Sequence, residues 1–258
     1  MKSISSAPHL KSVKLQFCTI NSAAMKSSTN ILHVTSFEWW NYKGHSTGAI
    51  ALCCLFSNLT KVRLTPITAT HLTDLLYGCP QLRDVHLTMS DKIVIPTQQV
   101  SLIVQQWRYI ERLQIRSVLG PTPLTENHVI MLINECPTLI TLCNTHHTPE
   151  PVGSVVYSPG YTGSRLRVIS LDITEASTLR AVVAKCKYLH FVSLHSPRGR
   201  CGVLVLPVLD CLVNSSVQHL QLHEYTACPG DLLLLRNSLL TRLELHDLIN
   251  FTDDCVLP

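Results

Sequence analysis

Two groups of side chains carry the chemistry that this 258-residue chain offers. One is basic: Lys61, Arg63, His86, Arg112 and Arg116, with Lys14 ahead of them, each beside or between the apolar residues of a short alternating segment. The other is imidazole: His195, His219, His223 and His246 lie between or beside the apolar residues of later segments. An unperturbed imidazole changes charge near neutral pH and ligates zinc. If these segments are neighbouring strands about 5 Å apart, His195, His223 and His246 fall in one column. Zinc needs three or four ligands converging on a point, whereas a flat column diverges, so no metal site and no cofactor is expected. The vicinal pair Cys53-Cys54 reads as one core residue and one partly buried neighbour. The pair His146-His147, with Glu150 nearby, lies in a Pro-rich stretch, and two adjacent histidines point apart in an extended chain. Gly-x-x-x-x-Gly-Lys-Ser/Thr, His-Glu-x-x-His and Cys-x-x-Cys are all missing, and the single Gly-x-Ser-x-Gly, Gly44-His45-Ser46-Thr47-Gly48, falls in the segment 37–48 that is read below as irregular. The expectation is therefore a non-enzymatic protein.

The elements that hold these side chains repeat. An apolar quartet at i, i+3, i+4, i+7 marks one helix face. Three residues later comes an apolar trio whose last two members alternate as in a strand. The quartets are Ala49/Leu52/Cys53/Phe56, Leu72/Leu75/Leu76/Cys79, Val100/Ile103/Val104/Trp107, Val129/Leu132/Ile133/Cys136 and Leu179/Val182/Val183/Cys186. Their strands follow at Leu59, Leu82, Ile110, Leu139 and Leu189. Anchors at Leu10, Leu32, Leu166, Val217 and Leu240 extend the series, with steps of 22 to 29 residues. A helix–strand unit of that period is the mark of a stacked solenoid. The fold class is α/β: a curved horseshoe with a parallel inner sheet, outer helices and about ten repeats, read as one array over 1–258. Thr70, Thr125 and Thr174-Glu175 are expected to open helices, and Pro80 and Pro137 to stop them. Segments 37–48 and 145–164 break the pattern and are read as irregular, the first as an aromatic lid on a poorly formed repeat. The series stops inside a repeat at Thr252-Asp253-Asp254, which reads as part of a longer array.

The run Gly78-Cys79-Pro80-Gln81-Leu82-Arg83-Asp84-Val85-His86-Leu87 is similar to repeats of F-box substrate receptors. Thr47–Leu52 and Asn214–Leu222 look more like repeats of NOD-like receptors. Together these residues resemble the leucine-rich repeat superfamily, in its ribonuclease-inhibitor-like and cysteine-containing branch, over about Leu10 to Leu248. The resemblance implies protein binding on the concave face. It also implies one of two contexts: the substrate-reading part of a ubiquitin-ligase adaptor, or the sensing repeats of an innate-immune receptor. The chain departs from the family at the turn after each strand, where Asn or Cys is usual three residues beyond the last leucine. Cys18 alone fits, and Ile67, Ser90, Val118, Thr174, Pro197, Tyr225 and Leu248 stand elsewhere.

Composition agrees with a binding role. The chain is 46% hydrophobic and only 15% charged, with a net charge of +4. That is too mild for the dense basic stripe of a nucleic-acid binder. No apolar run is long enough to span a membrane. Several of the eleven cysteines recur at one core position, as small hydrophobes rather than halves of bridges. With no signal-like N-terminus, this points to a reducing setting, cytoplasmic or nuclear. The sequons at Asn58, Asn214 and Asn250 are then expected to stay bare. The side chains expected to meet a partner, one with an acidic surface, are Lys61, Arg63, His86, Arg112, Arg116, Phe191, His195, His223 and His246. An open sheet face must also be polar for solvation alone, so the residue types do not by themselves require a partner.

Overall fold

A computed structural model of the chain describes residues 7, 9–20, 33–41, 46–90, 94–118, 122–145, 164–172, 176–196, 204–228 and 230–250. Two compact units divide it, Met1–Pro123 and Leu124–Pro258. The first unit runs β1 (Ser12–Gln16), β2 (Ser36–Trp40), α1 (Thr47–Leu55), β3 (Lys61–Ile67), α2 (Ala69–Gly78), β4 (Asp84–Met89), α3 (Thr97–Gln106) and β5 (Arg112–Ser117). The second begins with α4 (Glu126–Glu135), β6 (Thr141–Thr145), β7 (Val168–Asp172) and α5 (Ala176–Lys185). It continues with β8 (Phe191–His195), α6 (Leu206–Leu212), β9 (His219–His223), a 3-10 segment (Asp231–Asn237) and β10 (Arg242–His246). Within each unit the strands pair parallel and in chain order. This is an α/β solenoid of ten repeat strands, five in each unit.

The quartets are the helix half of the core. Ala49, Leu52, Cys53, Phe56, Leu72, Leu75, Leu76, Val100, Ile103, Trp107, Leu132, Leu179 and Val182 are buried, while Val104 and Val183 are half-buried. The trios are the strand half, and Leu59, Val62, Leu64, Leu82, Val85 and Leu87 are all buried. Phe37 of β2 meets Phe56 at the end of α1, ring centroids 5.7 Å apart. The three-residue step between quartet and trio is one recurring turn. Leu59, Ile110, Leu139 and Leu189 each donate a backbone N–H to the carbonyl of the last quartet residue, at 3.0–3.1 Å. In Cys79-Pro80-Gln81-Leu82 and in Cys136-Pro137-Thr138-Leu139 the proline takes the second turn position, which its fixed φ suits.

Several expectations are corrected. Residues 36–40 form strand β2 rather than part of an irregular lid, and α1 has begun by Thr47. Phe37 and Trp39 alternate inward, so aromatic rings take the places leucine holds elsewhere. Phe37 pairs with Val62, which makes Val34, fully buried, the counterpart of Leu59. The anchor is therefore Val34, and Leu32 lies outside the described residues. Thr68, not Thr70, caps α2: its hydroxyl accepts from the His71 N–H, and the His71 ring accepts from the Thr68 N–H. Thr70 sits in the first turn and bonds the Thr68 hydroxyl at 2.9 Å. Thr125 caps α4 as expected, again with a histidine, His128, closing the box in the place Glu or Gln usually takes. A sixth quartet, Val205/Val208/Leu209/Leu212, is buried under α6. It stands two residues further from its strand anchor than the others do. Residues 146–163, Thr174-Glu175 and Thr252–Asp254 lie outside the described residues.

Two asparagines do the turn work that sequence reading sought three residues after each strand. Asn144 sits only two residues beyond Leu142. Its Nδ2 donates to the Leu124 carbonyl at 2.8 Å, and its Oδ1 accepts from the Leu124 N–H at 3.0 Å. Asn41 donates to the Cys18 carbonyl at 3.2 Å.

Candidate interaction face

Alternation along each strand sends every second side chain away from the helices, and the parallel register aligns them in rows. In the first unit one row is Ser12, Ser36, Lys61, Asp84 and Arg112, and the next is Lys14, Glu38, Arg63, His86 and Gln114. Gln16, Trp40, Thr65, Thr88 and Arg116 follow beyond them. The predicted basic residues Lys61, Arg63, His86, Arg112 and Arg116 thus share one face. Sequence reading missed what β2 adds, Glu38 and Trp40, because it had assigned no strand there.

Asp84 organises this face. Lys61 Nζ lies 3.4 Å from its carboxylate, Arg112 3.7 Å and the His86 ring nitrogen Nε2 2.7 Å. Burial alone would raise the Asp84 pKa, but the His86 hydrogen bond and the nearby His86, Lys61 and Arg112 charges hold it below the usual carboxylate value. Trp40 is the second fixed point. The Lys14 ammonium stands 5.2 Å and the Arg63 guanidinium 4.8 Å from its ring centroid. Lys14 also pairs with Glu38 at 3.3 Å. These contacts are worth little to stability, since exposed ion pairs contribute about 0–1 kcal/mol and exposed cation–π contacts about 0.5–1 kcal/mol. Their effect is positional: they hold long cationic side chains upright beside an aromatic ring. Five full cations (Lys14, Lys61, Arg63, Arg112, Arg116) face two carboxylates (Glu38, Asp84), which leaves this face positive.

The second unit is built differently. On β6 to β8 most of the corresponding side chains are small or apolar, among them Cys143, Ser170, Ser193, Val168 and Phe191. All five are buried, and so is His195. Phe191 and His195 were expected to face a partner. Instead Phe191 packs edge-on against His219, centroids 4.6 Å apart, and His195 lies under His223. The reachable part of this face is half-exposed Thr141 and Asp172 together with β9 and β10.

There the histidine column is real. His195 and His223 stack at 4.1 Å, and His223 and His246 at 4.4 Å, with ring planes within 8°. Parallel rings aim their lone pairs side by side rather than at one point. Among the described residues no group of three or more His, Cys, Asp or Glu is placed to hold a metal. Burial first, and then the neighbouring His246, push the His223 pKa down to about 4. Glu244 gathers the polar side chains much as Asp84 does. Arg242 and Gln221 each stand 2.5 Å away, His219 3.1 Å and His246 3.5 Å.

Among the described residues no helix is long and apolar enough to cross a membrane. His146, His147 and Glu150, the makings of an enzymatic alternative, lie outside the described residues. Compared with known proteins, the chain matches no protein-family model and no curated sequence.

Proposed function

We propose that the protein is a non-enzymatic leucine-rich-repeat interaction module that binds another protein with an acidic surface on the open face of β1–β5. The carrying observation is the Asp84–Trp40 arrangement, in which Lys61, Arg112, Lys14 and Arg63 are held in place around one carboxylate and one indole. A partner carboxylate would gain ordered cations without the cost of ordering them. An aromatic ring between a lysine and an arginine is the chemistry of an interface anchor. Asp84 competes for those cations, so the face discriminates: a weak or isolated carboxylate does not displace it, and a cluster of them does.

The test is a pull-down from the native cell with mass spectrometry of what is retained, comparing wild type with the triple variant Arg63→Glu, Arg112→Glu and Arg116→Glu. Capture should disappear while the circular dichroism spectrum stays unchanged. Retention of the same partner by a folded triple variant would remove the face from consideration.

A further inference from the structure

The helix side holds a pair of thiols that the interaction face does not use. Cys54 lies in the last turn of α1 and is half-buried; Cys79 caps the C-terminal end of α2 and is buried. Gly78, the last residue of α2, makes their approach possible. A Cβ built on Gly78 would stand 2.2 Å from the Cys54 sulfur and 3.7 Å from its Cα. The sulfur fills the space a side chain would take, and this brings it to the residue that follows. The Cys54 sulfur also reaches the Asp74 carbonyl at 4.0 Å, so it lies along the part of α2 that Cys79 ends. Cys53, the vicinal neighbour, is turned into the core and fully buried.

We infer that Cys54 and Cys79 form a peroxide-reactive dithiol that closes into a reversible disulfide tying α1 to α2. The roles follow from position. Cys54 is the reachable thiol, and the neighbouring Cys79 thiol, outweighing burial and the Asp74 charge, lowers its pKa. The Cys54 thiol, with burial, raises the Cys79 pKa in turn, so Cys79 stays protonated until it is needed. The Cys54 thiolate attacks one oxygen of hydrogen peroxide, the O–O bond breaks, and hydroxide leaves with a sulfenic acid on Cys54. The Cys79 sulfur then attacks the Cys54 sulfur, the S–O bond breaks, and water leaves with the Cys79 proton. Overall two thiols are oxidised, one peroxide is reduced, and two waters form. A dithiol reductant reverses the step by exchange. Cys18 and Cys228 are more exposed, so exposure alone would favour those two.

The experiment uses the reduced full chain, hydrogen peroxide at stoichiometric amounts, and dimedone as a sulfenate trap. The wild-type mass should fall by about 2 Da, two hydrogens, with the new bond mapping to the peptides of Cys54 and Cys79, and dithiothreitol should restore it. Cys79→Ser should trap the intermediate, giving a dimedone adduct on Cys54 about tenfold faster than on Cys18 or Cys228. Cys54→Ser should give neither cross-link nor rapid labelling. Dimedone reaching Cys18 or Cys228 first in the folded Cys79→Ser variant, or a wild-type disulfide that maps to any other pair, would overturn the assignment. The wild-type mapping needs no variant to fold, and its outcome is independent of whether the β1–β5 face binds an acidic partner.

Discussion

Asn144→Ala is the sharpest structural perturbation available. Asn144 is 2% exposed and its partner Leu124 is 1% exposed. One amide satisfies both backbone groups of Leu124, accepting at 3.0 Å and donating at 2.8 Å. Truncation leaves a buried N–H and a buried C=O without their partners. Each orphaned group costs about 1–3 kcal/mol, so the loss should be about 2–6 kcal/mol, a large fraction of typical domain stability. Asn144→Asp separates geometry from chemistry. It keeps the shape and one acceptor but sets a carboxylate oxygen against the Leu124 carbonyl, and should cost at least as much. The assay is urea unfolding followed by far-UV circular dichroism with the slope compared between variants. Tryptophan emission is unsuitable, since Trp39, Trp40 and Trp107 all lie in the first unit. A loss below about 1 kcal/mol for Asn144→Ala, with unchanged slope, would refute the view that this amide is the turn's essential link.

Leu132→Ala, at a fully buried quartet position, should cost about 2–5 kcal/mol by opening a core cavity, measured by the same urea titration. His223 has its pKa lowered by burial to about 4, against about 6.5 when unfolded. The unfolded chain therefore binds the extra proton between those values. The stability His223 permits is full above about pH 6.5 and falls as pH drops toward 4. His223→Phe should shrink the difference in urea midpoint between pH 7 and pH 4.5, and an unchanged difference would show that the stack does not set the acid limb. Asp84→Asn should strengthen capture of an acidic partner, because Lys61 and Arg112 lose their resident carboxylate; weaker capture would mean that Asp84 orders the face more than it competes there.

Much of the fold was legible because helix and strand periods differ, and the apolar residues of each repeat switch from one to the other at a fixed step. The misses mark places where other residues fill the same geometric role. In β2, Phe37 and Trp39 stand where leucines were sought, so the strand went unread and Trp40 and Glu38 with it. At α6 the quartet is intact, but two extra residues separate it from Val217, which hid it from a fixed frame. Asn144 ties its turn from two residues beyond the leucine rather than three. On the site, the first-unit face was readable from alternation alone, since register follows from the strand phase. The burial of Phe191 and His195 was not, because alternation gives the direction of a side chain and says nothing of what lies over it. Asp84 and Glu244 as gathering points also needed coordinates, since Lys61 and Arg112 reach Asp84, and His219 and Gln221 reach Glu244, from neighbouring repeats more than twenty residues away.

Acrylamide quenching of tryptophan emission tests the central claim most directly. Trp39 and Trp107 are fully buried, and Trp40 stands half-buried on the proposed face between Lys14 and Arg63, so quenching reports Trp40. Saturation with the captured partner should suppress the quenchable fraction, and added salt should restore it as the ion pairs are screened. Quenching that stays the same at saturating partner would place the contact elsewhere and contradict the account.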